Sequence, residues 1–93
     1  MESLREKLFE IYDLTTRFME GEELSQKEII ETAATFYVDN YNEFPEQLKD
    51  VFEGCLNHSN MNVEEGTTLE EIIEDGYILV EELCGFLGEY FDD

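Results

Sequence analysis

The chain has 93 residues, with twenty-five acids against five bases, a formal charge of −20, and a 42% hydrophobic content that includes seven Phe and five Tyr. This length suits a single domain with a modest core, and the aromatic content is too high for an acidic disordered tail, which couples high charge to low hydrophobicity. The charge excludes direct binding of nucleic acid or anionic lipid, both polyanions, and the longest apolar run, Tyr77 to Val80, is far too short to span a membrane.

Caps and periodicity predict four helices, roughly 3–20, 26–40, 45–57 and 68–91, and no strand, so the expected fold is an all-α compact bundle with an acidic outer face. Ser3 with Glu6 is a capping box that opens the first helix, whose apolar positions Leu4, Leu8, Ile11, Tyr12, Thr15, Phe18 and Met19 recur at helical spacing. Gly21 ends it. Ser25 with Glu28 starts a second helix carrying Ile29, Ile30, Ala33, Ala34, Phe36, Tyr37 and Val38. Pro45 suits the first turn of the third, since its missing amide is not needed there. Leu48, Val51, Phe52, Cys55 and Leu56 follow as one apolar stripe.

Asn57 to Gly66 is polar and reads as a connection of about ten residues. Thr67 with Glu70, and Thr68 with Glu71, offer overlapping capping boxes for the closing helix. Its inward residues are expected to be Leu69, Ile72, Ile73, Leu79, Val80, Leu83, Leu87 and Tyr90. Gly76, Gly85 and Gly88 each cost a helix up to about 1 kcal/mol relative to Ala, which predicts a bend or a close approach of another helix.

The carboxylates are distributed unevenly. Asp50 to Asp93 holds thirteen acids and no Lys or Arg, while Arg5, Lys7, Arg17, Lys27 and Lys49 all precede it. In the closing helix the acids alternate with apolar residues, so one face packs and the other carries a carboxylate stripe. At about 1.5 Å rise per residue, its acids give roughly one charge per 4 Å, near the one phosphate per about 3.4 Å of a DNA strand. Like-charged pairs at i,i+4, such as Glu70/Glu74 and Glu71/Asp75, oppose helix stability, so the stripe is expected to serve a partner.

The segment Thr32-Ala-Ala-Thr-Phe-Tyr-Val-Asp-Asn-Tyr41, the helix Leu48-Lys-Asp-Val-Phe-Glu-Gly-Cys-Leu56, the polar connection Asn60 to Thr68 and the acidic closing helix come in an order that resembles the small all-α phage DNA-mimic proteins of the overcome-classical-restriction (Ocr) type. More loosely, the chain is similar to acidic phage anti-CRISPR proteins. The resemblance implies a phage-encoded inhibitor in the host cytoplasm that places carboxylates where phosphates would lie, in the basic groove of a DNA-binding protein or nuclease. It also implies assembly as a homodimer. The phosphate-mimicking residues would be Glu70, Glu71, Glu74, Asp75, Glu81, Glu82 and Glu89, joined by Asp50, Glu53, Glu64 and Glu65. The five early bases depart from an all-acidic surface.

Twelve aromatics exceed the inward positions of so small a domain, so some should form a contact surface. Tyr37, Tyr41 and Phe44 are the expected self-association patch. The alternative function is an immunity- or antitoxin-type helical protein that blocks one basic enzyme through a compact hot spot of aromatics and a few acids.

Enzyme chemistry has little support in the sequence. Cys55 and His58, three apart, could begin a metal site with Cys84, but further ligands at recognisable spacing are missing. Cys55 also completes an apolar stripe, so the two cysteines are expected to be reduced and buried. The stretch from Asn60 to Glu71 departs from a calcium loop, with Asn at its start and Gly66 in the seventh place. Ser25, in Glu23-Leu24-Ser25-Gln26, is explained by capping rather than by a carrier's prosthetic arm. No cofactor is expected.

Overall fold

Each helix begins where a hydroxyl or a proline releases it from the preceding turn. In the computed structural model, which describes residues 3–60 and 68–92, Ser3 accepts from the Glu6 amide at 3.2 Å and opens α1 (Leu4–Met19). Ser25 does the same for the Glu28 amide at the start of α2 (Gln26–Asp39). Thr68 accepts from the Glu71 amide at the start of α4 (Leu69–Phe91). Each cap satisfies one amide that has no partner inside its helix. Thr67, the other candidate cap, lies outside the described residues. Pro45 immediately precedes α3 (Glu46–Ser59), its φ of −59° already suited to helix entry. Gly21 takes the left-handed conformation, φ 95°, that turns the chain after α1.

The all-α bundle expected from the sequence is observed, with no strand among the described residues. Two local differences have physical causes. A 3-10 turn at Tyr41–Glu43 follows α2; Asn40 Nδ2 donates to the Phe36 carbonyl at 2.9 Å, which closes α2 and sends the chain into the turn. α3 continues to Ser59, two residues past its expected end, because Ser59 Oγ and Asn60 Nδ2 both donate to the Leu56 carbonyl and cap that last turn.

α2 and α3 form the most extensive helix interface, and α4 packs across α1, α3 and α2. The core between them contains Leu8, Ile11, Ile30, Leu48, Phe52, Cys55, Val80, Leu83 and Leu87, all essentially without exposure. Phe52 anchors an aromatic cluster in it. Its ring lies 4.7 Å from Phe44 and 6.5 Å from Tyr37, and Tyr37 lies 5.0 Å from Phe44. Phe52–Phe44 and Tyr37–Phe44 are edge-to-face pairs, which add about 0.5–1.5 kcal/mol each beyond the area they bury. Thr15 is the one buried polar residue among those described, and its hydroxyl donates to the Tyr12 carbonyl at 2.7 Å, so its burial leaves no donor unmatched.

The glycines of α4 do not interrupt it. The helix runs unbroken for 23 residues, and Gly76 serves the second expected role, a close approach. A Cβ there would stand 2.8 Å from Gln26 Cδ and 3.1 Å from His58 Cε1 and would collide with Gln26 Oε1. The missing side chain lets Gln26 Nε2 reach the Ile73 carbonyl at 3.1 Å and His58 Nε2 reach the Ile72 carbonyl at 2.8 Å. Side chains from α2 and α3 thereby hold α4 by its own backbone.

A candidate partner-binding surface on the closing helix

All twenty-one carboxylates among the described residues are exposed. The bases are engaged elsewhere. Arg17 makes a two-pronged bond to Glu22, 2.9 Å from Nε and 2.8 Å from Nη2, and reaches Asp13 at 3.6 Å. That bond holds the Glu22 carboxyl below its ordinary range and the guanidinium above its own. Lys7 pairs with Glu10, Lys27 with Glu31 and Lys49 with Glu46, while Arg5 lies 4.9 Å over the Phe91 ring. Among the described residues, no ion pair reaches a carboxylate of α4.

On α4 the sequence-predicted acids come together. Gly76, Val80, Leu83 and Leu87 are the buried residues. At about 100° per residue, Glu70, Glu71, Glu74, Asp75, Glu81, Glu82 and Glu89 occupy an arc of about 140° on the opposite side. Within it they form two rows, Glu70–Glu74–Glu81 and Glu71–Asp75–Glu82–Glu89, with Ile78 between them. Asp50 and Glu53 are exposed on α3. Glu64 and Glu65 lie outside the described residues.

The expected self-association patch is corrected. Tyr37 and Phe44 are only 4% and 5% exposed, because the 3-10 turn folds Phe44 back onto Phe52 and closes the aromatic cluster over Tyr37. Burial raises the Tyr37 phenol above its ordinary pKa. Tyr41 alone of the three is exposed, at 53%, with Lys49 Nζ 5.0 Å over its ring.

The exposed apolar residues lie mostly on α4, where the sequence reading placed several inside. Leu69 and Ile73, expected to face inward, are exposed, as are Tyr77, Ile78 and Phe86. Helical position carries the signal for Ile78, which lies opposite the arc of Gly76, Val80, Leu83 and Leu87 and among the acids, whereas Phe86 lies about 60° beyond Leu83, at the margin of that arc.

α3 and α4 lie antiparallel, pairing His58 with Ile72 and Gly54 with Leu79. Along their seam runs an open groove of about 410 Å³. Gly54 and Leu79 line it, a Cβ on Gly54 standing only 3.2 Å from Leu79 Cδ1. Asn57, His58 and Ile78 flank it, and it carries the carboxylates Asp75 and Glu82.

The sparse metal and nucleophile motif does not assemble. Cys55 is fully buried, and burial pushes its thiol up to about 12. Cys84, expected buried, is half-buried, with its sulfur 3.8 Å from Thr16 Oγ1. Both cysteines are free. His58 is committed to the Ile72 carbonyl, and among the described residues no group of three His, Cys, Asp or Glu side chains is arranged to hold a metal ion. No described helix is long and apolar enough to cross a membrane. Comparison with protein-family models, with curated proteins and with solved structures gives no match.

Proposed function

We propose that the protein is a DNA-mimic inhibitor, phage-encoded and acting in the host cytoplasm, that blocks the basic DNA-binding groove of a defence nuclease of the restriction or CRISPR type. The observation that supports it is the double row of exposed α4 carboxylates, on a half-chain without a base and without an ion pair from the described bases. Such a surface concentrates negative potential and speeds association with a basic groove, an effect that weakens as salt rises.

The test is competition with duplex DNA for restriction and CRISPR nucleases, at low and high salt. Reversal of Glu74, Asp75, Glu81 and Glu82 to Lys should weaken inhibition at least tenfold. Ser25→Ala should cost about 1 kcal/mol of stability and leave inhibition unchanged. Full inhibition by the quadruple variant would end the mimic reading. The alternative, a compact hot spot on one basic enzyme, draws support from the exposed Ile78 and Phe86, which a phosphate array does not need. Under that reading single substitutions abolish binding and most acids are neutral.

A further inference from the structure

One flank of α4 carries a second pattern within the acid rows. Asp75, Leu79, Glu82, Phe86 and Glu89 follow one another at alternating steps of four and three residues. This is the spacing along which one helix meets another. Carboxylates recur on it every seven residues, with an apolar residue between each pair. Asp75, Leu79 and Glu82 line the seam groove beside α3. Phe86 remains 43% exposed and the adjoining Ile78 53% exposed. A solvated acidic face has no use for these side chains, and neither does a copy of a phosphate row.

We propose that this flank, with the α3–α4 groove beside it, docks an amphipathic basic helix of a partner protein, one with Lys or Arg every seven residues and apolar residues between. The inference rests on the reading that the acids of α4 face a basic partner, and it adds the form of the segment recognised. Charge complementarity selects this occupant. A second copy of the chain would set Asp75, Glu82 and Glu89 against like charges, and its five bases, all of which precede Asp50, are engaged with acids or an aromatic ring of their own chain. Nucleic acid is excluded by its own phosphates. From Asp75 to Glu89 the ridge spans about 21 Å, so four turns of partner helix cover it.

The probe is a fluorescein-labelled 21-residue peptide with Arg and Leu on this 4–3 repeat in an Ala background, set against a scrambled isomer of identical composition. Fluorescence polarisation should give at least tenfold tighter binding for the ordered repeat. The charge-neutral pair Ile78→Asn and Phe86→Asn, both at exposed positions, should remove that advantage and leave the isomer unaffected. Amide shifts in the unaltered protein should cluster at Gly54, Asn57, Leu79 and Phe86, a readout independent of any variant. Equal binding of the two peptides, or indifference to the double substitution, would overturn the proposal in favour of charge alone. Dimerisation of the protein that the double substitution dissolves would overturn it in favour of a second copy. Duplex competition reads the carboxylate array and the peptide pair reads the ridge, so failure of one leaves the other separately measured.

Discussion

Gly76 and Gly85 occupy the same helix and should respond to alanine in opposite directions. Both substitutions gain helix propensity, close to 1 kcal/mol for an interior position. At Gly85 nothing lies within 4 Å of the added Cβ, so the gain stands unopposed and Gly85→Ala should stabilise by about 0.5–1 kcal/mol. At Gly76 the Cβ arrives where the Gln26 amide sits and crowds the His58 ring at 3.1 Å. The Gln26–Ile73 bond is then lost and the His58–Ile72 bond strained, each with a net value of about 0.5–1.5 kcal/mol. Crowding of a packed site adds about 1–3 kcal/mol. The Ile72 and Ile73 carbonyls keep their bonds within the helix, so no buried acceptor is orphaned and the loss stays at the low end. The balance is a destabilisation of about 1–2 kcal/mol. For a domain of this size 1 kcal/mol moves Tm by about 4–8 °C. Thermal unfolding followed by circular dichroism should therefore rise by several degrees for Gly85→Ala and fall for Gly76→Ala. Adding Gln26→Ala to Gly76→Ala should recover part of the loss. Equal stabilisation by the two alanines would refute the close approach as the reason for Gly76.

Two further outcomes test the core. Phe52→Ala, at a fully buried ring in contact with Phe44 and Tyr37, should cost about 3–5 kcal/mol in urea unfolding; a loss under about 1 kcal/mol would mean the aromatic cluster is not the anchor of the α2–α3 interface. Cys55 supplies a pH dependence. Its folded pKa is raised to about 12 by burial, so its contribution is complete below the ordinary thiol range and is lost as pH rises through it. Stability should fall between about pH 9 and 12 with a slope of up to about 1.4 kcal/mol per pH unit from this group. Cys55→Ala should flatten that slope, and an unchanged slope would assign the alkaline loss to other groups.

The amino-acid sequence by itself determined the helices, because capping and periodicity are local. Ser3, Ser25 and Thr68 cap through amides three residues ahead, and no distant contact is needed to place them. It also determined the charge asymmetry and the exposure of its acids, since an unpaired carboxylate is too costly to bury. The tertiary structure decided which apolar residues of α4 meet the core. That helix offers apolar groups around much of its circumference, but its neighbours bury Gly76, Val80, Leu83 and Leu87, partly cover Leu79, Tyr90 and Phe91, and leave Ile73, Ile78 and Phe86 exposed. It decided the fate of Tyr37 and Phe44 as well, through a 3-10 turn that no periodicity announced. And it separated Gly76 from Gly85, two residues identical in sequence terms, by placing Gln26 and His58 against only one of them. Each of these outcomes depends on contacts between elements far apart in the chain, which local propensity does not encode.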